Sequence, residues 1–164
     1  GEFDKARTYF DQVIADPAST SSQSLLAQAY TGLGDVKYQN VRKVLATKPD
    51  KSKLPEIQDA LTDASLDYLR VAKFYVSEAG DELFPATVGV ARVWATQFTL
   101  GGDKDCPLAM RASSFFYAAH KMLRRGEQQR LLTKEIKAFL EKRNDACGVP
   151  GEADKKKADK KKPK

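Results

Sequence analysis

The chain has 164 residues, 41% of them hydrophobic and 30% charged, with a formal net charge of +6. That length and composition suit one globular domain, and no apolar run approaches the roughly 20 residues a membrane span needs. From Glu152 onward seven lysines face three acids, so the tail carries +4, and the remaining 21 bases and 19 acids leave the body at +2. A nearly balanced body argues against a dedicated nucleic-acid surface, and the pI of 9.2 is mostly an effect of the tail.

The first predicted element covers residues 2–15, with Phe3, Ala6, Tyr9, Phe10, Val13 and Ile14 forming an amphipathic helical stripe. Asp16-Pro17 stops it, and Ser19 to Ser22 supply N-cap candidates for the next helix. That helix runs through Leu25, Leu26, Ala29, Tyr30 and Leu33. It either ends in a turn at Gly34-Asp35 or continues through Val36, Val41, Val44 and Leu45 to a loop at 48–55. Continuation is preferred, because Gly34 then falls where neighbouring helices cross.

A helix over about 55–78 follows, with Pro55 in its first turn and the stripe Ile57, Leu61, Ala64, Tyr68, Val71, Ala72 and Tyr75. Residues 82 to about 100 give another, closed by Gly101-Gly102-Asp103. Residues 108–123 place Ala112, Phe115, Phe116 and Ala119 inward, and 128–144 carry Leu131, Leu132, Ile136, Phe139 and Leu140. No segment alternates with period two for long enough to make a sheet, so the expected class is all-α. The boundary is expected after residue 147, leaving 148–164 as a mobile Lys-rich tail with too few apolar groups to offset its ordering entropy.

The sites of common chemistry are missing. His120 is the sole histidine, which rules out a multi-histidine metal site, and it reads as an edge residue. Pairing it with Cys106 as a nucleophile lacks any recognisable oxyanion device. Cys106 and Cys147 form no CxxC motif; two separate thiols are the plainer reading and a single bridge the alternative. Gly32-x-Gly34 and the glycines at 101–102 lack phosphate-loop spacing. Asp59, Asp63 and Asp67 read as a solvated acidic face, and Trp94 as core. No catalytic set, cofactor or metal is expected, and the chain reads as non-enzymatic.

Small residues four before an aromatic recur, as Ala6-x-x-x-Phe10, Ala64-x-x-x-Tyr68 and Ala112-x-x-x-Phe116, with Tyr30-x-x-Leu33-Gly34 between the first two. With Pro17 closing the first unit, this pattern resembles the tetratricopeptide repeat, over roughly residues 1–125. The elements lie 58 and then 48 residues apart against the usual 34 or so, so the resemblance is to a degenerate, expanded form.

It implies antiparallel helical hairpins stacked as a short α-solenoid, with residues 128–144 as a C-terminal capping helix. It also implies a scaffold that holds a peptide or partner helix in a concave groove lined by first helices. In that register Gln28, Thr31, Asp35, Gln39, Arg92 and Thr96 are the candidate groove residues. A chain opening Gly1-Glu2-Phe3 without methionine reads as the later part of a longer array.

The rival reading is an adaptor that binds anionic membrane or nucleic acid through the basic tail and the helix bearing Arg130, Lys134, Lys137, Lys142 and Arg143. A soluble protein of the bacterial periplasm or envelope is the expected setting, from the likeness of elaborated repeats with charged tails to bacterial envelope scaffolds.

Overall fold

The computed structural model describes residues 2–77, 79–123 and 126–148. Among them are six helices and no strand: α1 (Glu2–Ala15), α2 (Gln23–Ala46), α3 (Leu54–Phe74), α4 (Leu83–Leu100), α5 (Cys106–Met122) and α6 (Glu127–Cys147). The all-helical expectation holds. The proposed tail, apart from Gly148, lies outside the described residues.

The helix ends follow local chemistry. After α1, the Asp16 carboxylate accepts from the Ala18 amide at 3.0 Å and the Ser19 hydroxyl at 3.2 Å, fixing the turn ahead of Ser22. The Ser22 hydroxyl then accepts from the Leu25 amide and caps α2. Helix α2 runs unbroken through Gly34, as preferred from the sequence. Helix α3 stops at Phe74, short of 78, because the chain closes a separate turn in which the Ala79 amide donates to the Tyr75 carbonyl at 2.7 Å. Helix α5 begins two residues early, since Asp105 caps it and Pro107 suits its first turn. Helix α6 reaches Cys147, where Gly148 adopts a left-handed C-terminal cap at φ 64°.

Pairwise contacts set the directions. Phe3 lies under the Lys43 ammonium while Phe10 meets Gly32, so α1 and α2 are antiparallel. Tyr30 stacks on Tyr75 and Lys37 reaches Asp67, so α2 and α3 are antiparallel as well. Tyr68 meets Gly89 and Thr62 meets Gln97, which reverses α4 against α3. Across α5 and α6, His120 pairs with Thr133 and Arg143 with Ser113. Alternate helices are consequently parallel: Arg92 meets Glu135, and Lys142 meets Thr99, along α4 and α6.

Two apolar clusters fill the interior. One surrounds Tyr68, with Leu61, Ala64, Val71, Val90 and Val93. The other surrounds Phe116, with Phe98, Ala109, Ala112, Ile136 and Phe139. Trp94 and Phe115, edge-to-face at 5.1 Å, pack against both. Leu131, expected on the inward stripe of α6, is instead 58% exposed, because Leu132, Ile136 and Phe139 set the buried face.

The small-and-aromatic pattern proves to be a packing device. The Tyr68 ring of α3 sits between Gly34 of α2 and Gly89 of α4. A Cβ at either glycine would fall 2.7 Å or 2.5 Å from ring carbons. The Tyr68 hydroxyl donates to Asp35 Oδ1 at 2.6 Å, so the buried ring leaves no polar group without a partner.

Two readings are corrected here. Asp67 is not part of a solvated acidic face: it is 4% exposed and lies 2.6 Å from Lys37 Nζ, with Arg70 beyond it. Burial pushes its carboxyl above the ordinary range, while the Lys37 ammonium holds it down. The cysteines are not separate thiols. Because α6 returns along α5, Cys147 comes within 5.8 Å (Cα to Cα) of Cys106 and the two form a disulfide. Cys106 is therefore not a free nucleophile for His120, whose Nε2 lies 3.0 Å from the Thr133 hydroxyl. Thr133 already donates to the Gln129 carbonyl, so His120 is the donor in that bond.

Gly89→Ala should lower the midpoint of thermal unfolding by several degrees, in keeping with an overpacking cost of about 2 kcal/mol. Scanning calorimetry checks it, and the Gly89→Ala/Tyr68→Leu pair should lose less than the sum of the two single changes.

Candidate functional site

The parallel run of α2, α4 and α6 leaves a groove of about 370 Å³ on their shared face. Its apolar surface comes from Leu45, Ala95, Leu100 and Phe139, with Phe116 contributed by α5, and Tyr38, Thr96, Thr99, Arg92 and Glu135 surround it with polar groups. These positions recur at i, i+3, i+4 and i+7 on α4, so one helical face turns Arg92, Ala95, Thr96 and Thr99 toward the same space.

The polar rim is ordered by specific bonds. Arg92 grips Glu135 with two parallel bonds of 2.8 Å, from Nε and from one terminal nitrogen, tying α4 to α6. This pairing raises the Arg92 pKa above its ordinary value. The Thr96 hydroxyl donates to the Arg92 carbonyl at 2.8 Å, so Tyr38, 3.1 Å away, is the donor to Thr96 and ties α2 to α4. At the far end Lys142 donates to Thr99 and pairs with Asp103 at 3.1 Å.

Beyond Tyr38 the seam turns acidic. Desolvation of the carboxyl end, on a residue that keeps an exposed side, pushes Asp35 above its ordinary value of 3.8, against the Tyr68 hydroxyl bond and the positive field of Arg92. Glu82 is also raised, by burial first, with the nearby carboxylates Asp35 and Asp81 adding to it.

Of the expected groove residues, Arg92 and Thr96 line the space. Asp35 adjoins it through Tyr68 and Arg92. Thr31 is 3% exposed and offers no surface. Gln28 and Gln39 are exposed but lie off the lining. The sequence reading missed Tyr38 and Leu45, although they follow Asp35 at +3 and +10 on one α2 face. Glu135 and Phe139 were missed as well, on a helix expected to be an end cap or, in the rival reading, a basic binding helix.

No protein family, curated protein or solved structure matches this chain.

A larger depression of about 670 Å³ at the start of α6 is lined by Gly126, Glu127, Gln129, Arg130, Leu131 and Lys134. Among the described residues its lining comes from one helix end, carries both charge signs and includes no buried apolar side chain. The three-helix groove is therefore the stronger candidate. Among the described residues, no group of three or more His, Cys, Asp or Glu side chains is placed to hold a metal ion, and no helix is long and apolar enough to cross a membrane.

The raised Asp35 carboxyl has a definite linkage sign. The folded state keeps its proton to higher pH than the unfolded chain, so this residue makes stability fall as pH rises from about 4 through the folded pKa. Asp35→Asn keeps an acceptor for Tyr68 and should flatten that part of the stability profile. Chemical denaturation at half-unit steps from pH 4 to 7 reads the difference, and an unchanged slope refutes it.

Proposed function

We propose that the chain is a non-enzymatic interaction scaffold that holds a peptide or partner helix in the α2–α4–α6 groove. The observation that carries this reading is the groove itself: apolar side chains from parallel helices, with fixed hydrogen-bonding groups along the rim, suit a segment laid across the helices. Antiparallel neighbours with parallel alternates also support a short α-solenoid of expanded tetratricopeptide-like hairpins. In that reading Leu33-Gly34 receives the aromatic of the following Ala64-x-x-x-Tyr68 element. Helix α6 then acts as both end cap and third wall.

The disulfide supports an oxidising setting outside the cytosol, where such bridges persist. The rival reading, an adaptor binding anionic membrane or nucleic acid through its basic terminal helix and tail, draws on Arg130, Lys134 and Lys137 of α6 and on tail residues outside the described structure.

A peptide-display selection on the immobilised chain tests the proposal directly. Thr99 is exposed on the groove rim, so a larger side chain there enters the groove from its edge, at the cost of the Lys142 bond. Enriched peptides should survive truncation after Gly148 and moderate salt, and lose at least tenfold in affinity for Thr99→Trp. Peptides indifferent to Thr99→Trp would place binding elsewhere. Retention of only nucleic acid or anionic vesicles, abolished by truncation or by salt, would establish the rival.

A further inference from the structure

Helix α6 is the least deeply seated of the groove walls. It buries Leu132, Ile136 and Phe139, whereas α4 buries eight residues. Past Phe139 only Leu140 and Cys147 still touch the second apolar cluster, both partly buried, and the other ties are polar. Lys142 meets Asp103 and Thr99, and Arg143 donates to Ser113. Ion pairs of this partly exposed kind hold a helix end only weakly.

The covalent link sits at that end. Cys147 is the last residue of α6, and Cys106, the first of α5, lies 41 positions earlier. Both cysteines are partly exposed, which places the bridge at the edge of the second apolar cluster and not inside it. The groove wall formed by Glu135 and Phe139 lies only two to three turns before it.

We propose that the Cys106–Cys147 bridge is a reducible latch on the third wall of the groove, and that a dithiol reductant opens it. A reductant thiolate attacks one sulfur of the bridge, forming a mixed disulfide while the other cysteine leaves as a thiolate. The reductant's second thiol displaces the remaining cysteine and closes its own disulfide. The protein gains two electrons and two protons, and the dithiol loses both. The end of α6 then detaches back to Phe139, exposing the Phe98 and Phe116 surface that it covers. The latch depends on the geometry of the groove and not on what occupies it.

Amide hydrogen exchange of the full chain, before and after dithiothreitol, tests the latch without any partner. Protection over residues 136–147 should fall at least tenfold on reduction, while residues 61–71 and 86–98 keep theirs. A Cys106→Ser/Cys147→Ser variant should match the reduced pattern and ignore dithiothreitol. Unchanged protection in α6 after confirmed reduction overturns the proposal. So does a uniform loss across all helices, because the bridge would then hold the whole fold and not one wall.

Discussion

One aromatic ring determines how closely the central helices can approach. Tyr68 occupies the crossing of α2, α3 and α4 because both neighbours present glycine there, and its hydroxyl ends on Asp35. Interiors are packed densely enough that an extra methyl at such a crossing must displace the helix carrying it. The spacing of α2 from α4 thus follows from the thickness of a phenol ring, and the groove width follows from that spacing. Tyr38 and Thr96 can meet at 3.1 Å only because the two helices are held at this separation.

Much of this was legible in the chain. The apolar stripe of α3 predicts its buried face because Ile57, Leu61, Ala64, Tyr68 and Val71 repeat at helical spacing. Gly34 was readable as a crossing point because a glycine in an otherwise continuous helical pattern needs a packing reason. Gly89 was not, since it lies in a stretch where nearly every residue from Ala86 to Val93 is buried and no face stands out. Asp67 misled because acids spaced four apart look solvated, and its cation, Lys37, lies thirty positions away on another helix.

The site was half readable for a similar reason. Arg92 and Thr96 share a face of one helix, so local spacing finds them together. Glu135 and Phe139 enter only through the return of α6, whose mean composition is polar and whose inward stripe is narrow. The disulfide depends on the same return. Nothing near Cys106 or Cys147 in the chain announces the other, and only the antiparallel run of α5 and α6 brings their ends together.

Trp94 has a consequence of another kind. It is the sole tryptophan of the chain, and its indole borders both apolar clusters at the edge of Phe115. Its fluorescence therefore reports from the seam and not from the interior of either half. A single cooperative emission change would mean that the two clusters melt as one unit. A shift preceding the loss of helical circular dichroism would mean that the molecule comes apart first at this boundary, as two smaller folding units.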